Sequence, residues 1–143
     1  MPVEFKNEKY KEKKRKQINT HVESCTVCID NLVQLEARVQ QLLFMLAESS
    51  NSDCIIYDTN GKFSDTKQQL ADVLNVSVNN DTLTYMLRKG VVKKIKVGNM
   101  RVYVINPYIL HKGRTVSPDI YMGFGNSKYR YVYSENYYEE VLV

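Results

Sequence analysis

The stretch that decides the fold is "TKQQLADVLNVSVNNDTLTYMLRKGVVKKIKVGNMRVYVINP", residues 66–107. Its first half predicts two short helices separated by a tight break. Leu70, Val73 and Leu74 recur at helical spacing, and "NVS" interrupts the pattern before a second apolar repeat begins. Helix boundaries follow from side chains that can accept backbone N–H groups and from glycine. We expect Ser64 or Asp65 to cap the first helix, Ser77 to cap the second over residues 78–88, and Gly90 to end it.

The second half of this stretch predicts a β-hairpin. Gly98-Asn99 suits a two-residue turn with glycine first. That turn fixes the register, and the expected opposite pairs are Val97 with Met100, Lys96 with Arg101, Ile95 with Val102, and Lys94 with Tyr103. Because side chains alternate across a strand, the first and third pairs should face the core, while the second and fourth form a basic face with one aromatic ring.

Upstream of these helices, one apolar repeat predicts a further helix. The spacings alternate between three and four residues along Ile18, His21, Cys25, Cys28, Leu32, Leu35, Val39, Leu42 and Leu46. The part from Asp30 to Ala47 contains strong helix formers, whereas "HVESCTVCI" is rich in β-branched residues and could instead be a strand. The repeat is core in a monomer, and its two or more heptads also permit a helix–helix dimer.

The order of predicted elements indicates an α+β fold of the winged helix-turn-helix type. "CIIYD" reads as a short strand between the long helix and the first helix of the pair. We divide the chain into a flexible or partly helical basic arm (1–17), a winged helix-turn-helix domain with an extra N-terminal helix (18–114) and a Tyr-rich C-terminal extension (115–143). The extension would pack on the domain or in a dimer, and "KYRYVYS" within it suggests a strand.

The distribution of charge indicates a polyanionic partner. The net charge is +4 overall, but residues 61–114 hold ten Lys or Arg and three Asp, a local charge of +7. No apolar run is long enough to span a membrane and the N-terminus lacks a signal-peptide core, so we expect a cytoplasmic protein. Its three cysteines should then be reduced thiols.

Two other kinds of site were weighed. His21, Cys25 and Cys28, with Cys54 later, have spacings that a zinc site could use, but they lie in phase with the apolar repeat, which favours core packing and no bound metal. For catalysis, the sequence has no glycine-rich phosphate loop, no Ser-His-Asp set and no clustered carboxylates. We therefore expect neither a cofactor nor an enzymatic site.

The expected DNA-binding residues lie on the helix pair and the hairpin. Asn and Thr side chains at the start of the second helix can read base edges, and Lys or Arg side chains can contact phosphates. The expected set is Lys67, Ser77, Asn79, Asn80, Thr82, Tyr85, Arg88, Lys93, Lys94, Lys96, Asn99, Arg101 and Tyr103. A solvated basic surface is the simpler reading of the same residues. The N-terminal lysines could likewise grip DNA or merely keep the chain soluble.

Residues from about Leu42 to Asn126 resemble the RepL family of Firmicute plasmid replication proteins, which includes phage-borne relatives. The resemblance lies in "LLFMLAESSNSDCIIYDT", in residues 66–94, in "YVINPYILHKG" and in "MGFGN". It implies a protein without an enzymatic site that binds double-stranded DNA at an origin and helps to initiate replication. A phage or plasmid transcription regulator is the alternative within this class. A protein-interaction module with an incidental basic face is the alternative outside it.

Overall fold

The computed structural model describes residues 25–112 and 115–130, together with the backbone of residues 15–19 and 24. They form an α+β fold of five helices and two small antiparallel sheets. In chain order the elements are β1 (Arg15–Asn19), β2 (Ser24–Cys28), α1 (Ile29–Leu32), α2 (Ala37–Glu48), α3 (Lys67–Leu74), α4 (Asp81–Arg88), β3 (Val92–Val97), β4 (Met100–Ile105), β5 (Leu110–His111) and α5 (Pro118–Gly123).

Helices α2, α3 and α4 surround one apolar core. The longest of them, α2, packs against both of the others. Each helix contributes residues spaced by three or four, which places them on one face. The buried residues are Val39, Leu42, Leu43, Leu46 and Ala47 from α2, Leu70, Ala71 and Leu74 from α3, and Leu83 and Met86 from α4. The two short helices predicted from the sequence are confirmed.

The predicted caps of both short helices are wrong. Helix α3 is capped by Thr66, whose hydroxyl accepts from the Gln69 backbone N–H while the Gln69 side chain accepts from the Thr66 N–H. Ser64 is instead buried and donates to the Ile56 carbonyl. Helix α4 is capped by Asn80, because its side chain accepts from the Leu83 N–H, and it therefore begins three residues later than expected.

The hairpin of β3 and β4 has the predicted register. Lys94 lies opposite Tyr103, Ile95 opposite Val102, Lys96 opposite Arg101, and Val97 opposite Met100. Gly98 has a φ of +61° at the first turn position, a conformation that costs glycine little. The sequence also predicted a short strand at "CIIYD", residues 54–58. This stretch makes isolated bridges only, among them Ile55 with Val104.

The prediction of helix for the N-terminal part of the apolar repeat is wrong. The alternative prediction, a strand, is confirmed for Ser24–Cys28. Strand β2 pairs with the neighbouring β1 on one side and, on the other, with β5, which is distant in sequence. Strand β1 starts at Arg15, within the segment predicted as an arm; residues 1–14 and His21 lie outside the described residues.

The second part of that predicted helix is interrupted between α1 and α2. The side-chain amide of Gln40 donates to the carbonyls of Leu32 and Leu35, which satisfies backbone groups at the break. Leu32, Leu35, Val39, Leu42 and Leu46 are at most 7% exposed within the single chain. This repeat is therefore confirmed as core of the single chain, and the helix–helix dimer stays a prediction.

The C-terminal segment 115–130 folds back onto the hairpin. Helix α5 packs against β3, where Gly123 lies so close to Ile95 that an added Cβ would approach its Cδ1 to 2.7 Å. Tyr129 is 1% exposed and lies in a turn, so the strand predicted around it is not formed there; Tyr131 and Tyr133 lie outside the described residues. None of the helices in the described part of the chain has the length and apolar character needed to cross a membrane.

Candidate nucleic-acid interface

A basic face covers the outer half of the hairpin. Lys96 and Arg101 are exposed and directly opposite each other, and the next pair inward is Lys94 with Tyr103, both partly exposed. The Lys94 ammonium lies 5.8 Å from the centre of the Tyr103 ring, within cation–π range. We call these four residues the wing face. Their alternation with Ile95 and Val102, which are 5% and 3% exposed, is as predicted.

The apolar face of the hairpin is shorter than predicted. Met100 is 45% exposed, although it lies on the same face of β4 as the buried Val102 and Val104. It lies beside the turn, where the described part of the chain leaves its side chain largely uncovered. Asn99, in the turn itself, is exposed as well. The tip of the hairpin therefore projects from the core and offers polar and charged groups together with one methionine.

Lys93 does not belong to the wing face. Strand alternation places it on the opposite side of β3, the side of Ile95, and its ammonium donates to the Gly123 carbonyl of α5 at 3.2 Å. The sequence analysis listed both Lys93 and Lys94 among the expected DNA-binding residues. The structure separates them onto two surfaces.

The outer face of α4 is polar and continuous with α3. Asp81, Thr84 and Arg88 are exposed, and Tyr85 is partly buried beneath the Arg88 guanidinium, which lies 5.8 Å from its ring centre. From α3, the Lys67 ammonium donates to the Thr84 hydroxyl at 2.9 Å. Lys67, Tyr85 and Arg88 thus lie at one surface.

Residues at the start of α4 have more restricted roles than the sequence suggested. Asn79 and Ser77 are exposed, and the Ser77 hydroxyl accepts from the Asn79 backbone N–H at 3.2 Å. The Asn80 carbonyl oxygen accepts from the Leu83 N–H at 3.1 Å, so this side chain is held as a cap. Thr82 is partly buried at the side of the helix. Of this group, Asn79 has the side chain most available to a ligand.

Thr84 is the residue of this surface that the sequence reasoning missed. It lies one turn before Arg88 on the outer face of α4, where positions 81, 84, 85 and 88 repeat at helical spacing. The signal was present, because the buried Leu83 and Met86 fix which positions face outward. Choosing polar residues by type alone favoured Thr82 instead.

One side chain of the wing face, Tyr103, has a shifted pKa. Burial, with a smaller contribution from the nearby Asp65 carboxylate, raises the pKa of the Tyr103 phenol above its ordinary value. At neutral pH this side chain is therefore a neutral hydroxyl beside Lys94. It can donate a hydrogen bond to an anion without adding a negative charge to the surface.

The cysteines are core residues. Cys25, Cys28 and Cys54 are free thiols with at most 2% exposure, which confirms their packing role although two of them lie in a strand rather than in a helix. Burial raises the pKa of the Cys54 thiol far above its ordinary value, so it is held protonated. Among the described residues, which exclude His21, no three His, Cys, Asp or Glu side chains are grouped to hold a metal ion.

Comparisons of the chain with protein families, with curated proteins and with solved structures find no match. Interpretation of this surface therefore depends on its geometry and charge.

Proposed function

We propose that the chain is a sequence-specific double-stranded DNA-binding protein of the winged helix-turn-helix type. In this proposal α3 and α4 are the helix-turn-helix, α4 is the recognition helix and the β3–β4 hairpin is the wing. The order of these elements supports it, as does the packing of both short helices on α2.

The observation that carries the proposal is the exposed pair of like charges on the wing face. Lys96 and Arg101 lie directly opposite each other, an arrangement that destabilises an isolated hairpin. Within the described part of the chain, neither of them forms a hydrogen bond or an ion pair. A phosphate group between the two cations would relieve the repulsion, and a DNA backbone supplies phosphates at regular spacing.

The two surfaces would have different tasks. The wing face would contact phosphates, because a short hairpin reaches the backbone or the minor groove, where sequence information is degenerate. The outer face of α4, with Asn79 at its start and Thr84 and Tyr85 on it, would enter the major groove. Lys67 and Arg88 flank that face and would fix its position on the backbone.

Within this class we favour a plasmid or phage replication initiator that binds an origin. The support for it is the resemblance to the RepL family over residues 42–126. A transcription regulator would use the same surfaces, and autonomous replication of a marker carrying the gene and its flanking DNA would separate the two. The protein-interaction module loses its strongest feature, because the apolar repeat from Leu32 to Leu46 is buried within the chain. A homodimer on paired half-sites stays a prediction.

The test is a salt titration of duplex binding. A duplex selected from a random pool and its scrambled version would be bound by the wild type, Lys96→Ala, Arg101→Ala and Asn79→Ala. The control is Lys62→Ala, an exposed lysine in the turn before α3. Each wing variant should weaken binding to both duplexes and reduce the slope of log affinity against log salt by about one unit.

Asn79→Ala should behave differently and reduce the preference for the selected duplex at nearly constant slope. Lys62→Ala should match the wild type in both respects. Unchanged slopes for both wing variants would mean that the wing face does not touch DNA, and the proposal would then be wrong.

A further inference from the structure

A second cationic site lies behind the recognition helix, on a different surface from the wing face. It is a pocket of about 270 Å³ between the C-terminal end of α4, the start of β3 and the turn at residues 124–128. Four cations line it, and none of its nine lining residues is acidic: the cations are Arg88, Lys89, Lys93 and Lys128. They come from three separate segments of the chain, which the fold brings together.

Complementing the negative end of the α4 dipole explains only part of this cluster. Arg88 and Lys89 belong to the last turn of α4, but Lys93 and Lys128 do not. The carbonyls at this helix end are already engaged, since Met86 accepts from the Val91 N–H at 2.9 Å and Leu87 from the Gly90 N–H at 3.3 Å. The charge around the pocket therefore exceeds what the helix end requires.

A hydroxyl in the pocket wall has a proton to donate. Asn106 is fully buried, and its Oδ1 accepts from the Tyr108 N–H at 2.9 Å, which identifies its Nδ2 as the donor to Ser127 Oγ, also at 2.9 Å. The Tyr129 N–H donates to the same Ser127 oxygen at 3.1 Å. A serine hydroxyl has two acceptor positions and one proton, so both acceptor positions of Ser127 are filled.

The remaining hydrogen of Ser127 is available to an acceptor in the pocket. Among the described residues none is hydrogen-bonded to it, and Ser127 lines the pocket beside the exposed amide of Asn126. A donor hydroxyl, a side-chain amide and four cations around one small volume match an oxyanion with several acceptor oxygens. The pocket is slightly smaller than the roughly 300–1,000 Å³ of sites for drug-sized molecules, so it suits a small ligand.

We infer that this pocket binds a phosphate group, with Ser127 donating its hydroxyl proton and Arg88, Lys89, Lys93 and Lys128 supplying the charge. The phosphate would belong to a small phosphorylated molecule or to the backbone of a bound nucleic acid. The site is separate from the wing face, because Lys93 lies on the opposite side of β3 from Lys94 and Lys96.

The experiment is a titration of the full ¹⁵N-labelled chain with inorganic phosphate at constant ionic strength, followed by NMR. Saturable shifts are expected for the backbone amides of Gly90, Asn126 and Ser127. Arg88→Gln and Lys128→Gln, both at exposed positions that leave the core intact, should each weaken binding about two- to fivefold. Lys62→Gln, at an exposed position that does not line the pocket, should leave it unchanged.

Duplex binding by Lys128→Gln identifies the source of the phosphate, because Lys128 is not among the residues proposed above to contact DNA. If a nucleic-acid backbone occupies the pocket, Lys128→Gln should weaken duplex binding and inorganic phosphate should compete with the duplex. If a small phosphorylated molecule occupies it, Lys128→Gln should leave duplex affinity unchanged. Shifts that never saturate, or that are the same in Arg88→Gln and Lys128→Gln as in the wild type, would overturn the inference. The result of this phosphate titration does not depend on whether Lys96→Ala weakens duplex binding.

Discussion

The two ends of the β3–β4 hairpin are built from the same alternating pattern, yet they differ in what surrounds them. At the base, Val92 and Ile105 are opposite each other and fully buried, and so is Val104 on the other face. At the tip, Lys96, Arg101 and Met100 are exposed. The difference shows that one hairpin holds its apolar core at the base and its charged residues at the tip, so that charge at the tip can be kept without burying it.

The comparison is tested most strongly by removing apolar volume at each end. Ile105→Ala at the base should lower the free energy of unfolding by about 2–5 kcal/mol, because it leaves a cavity in a fully packed site. Met100→Ala at the tip should change it by less than about 0.5 kcal/mol. Urea denaturation measures both, and similar costs for the two variants would mean that the tip is also part of the core.

The polar part of the base should matter nearly as much as its apolar part. Asn106 follows β4, is fully buried, and binds the Gly90 carbonyl, the Ser127 hydroxyl and the Tyr108 N–H. Asn106→Ala should cost about 2–3 kcal/mol of unfolding free energy, since buried partners lose their hydrogen bonds. Asn126→Ala, at an exposed position nearby, is the control and should cost almost nothing. Equal effects in thermal or urea unfolding would contradict this role.

At the tip, reversing one charge should stabilise the fold, whereas the substitutions at the base should destabilise it. Lys96→Glu replaces a like-charge pair with an opposite-charge pair facing Arg101, which should raise the free energy of unfolding by about 0.2–1 kcal/mol. The same variant should bind duplex DNA more weakly if the proposed function is right. The double variant Lys96→Glu with Arg101→Glu restores the repulsion, and it should lose the gain. A destabilised single variant would show that the pair is not in contact in solution.

The smallest effect concerns pH and lies between the two ends, at Tyr103. Its pKa in the folded chain is raised above the ordinary value of about 10. Its contribution to stability is therefore complete below about pH 10 and is lost as the pH rises through the folded pKa. Unfolding free energies of the wild type should fall more steeply at alkaline pH than those of Tyr103→Phe. Parallel curves would show that the phenol is not buried.

The sequence predicted the hairpin better than the N-terminal segment for a physical reason. Hairpin pairs are local, so a two-residue turn and the alternation of side chains determine their register. Strand β2 pairs through Thr26 and Val27 with β5, more than 80 residues later, and a repeat of threes and fours over so few residues did not distinguish it from a helix. Distant partners of this kind leave no mark in a local pattern.

The candidate site shows the same limit on a smaller scale. Lys94, Lys96 and Arg101 could be predicted on one face because alternation is a local rule. The same rule places Lys93 on the opposite face of β3, where its DNA contact stays a prediction. The pocket formed with Lys128 could not be predicted, since it depends on α5 folding back onto β3 through Gly123.

One buried side chain has a consequence for the order of events during synthesis. The amide of Asn31 donates to the carbonyls of Tyr108 and Tyr129, both at 2.7 Å, and so joins residues 77 and 98 positions apart in the chain. Helices α2, α3 and α4 and the hairpin can form from contacts much closer in sequence, whereas this side chain waits for the last described segment. On a ribosome, the helix pair and the hairpin would therefore be in place before the Asn31 amide could reach the Tyr129 carbonyl. The hydrogen bond from Asn31 to Tyr129 would then be among the last to form, after the segment that carries Tyr129 has left the ribosome.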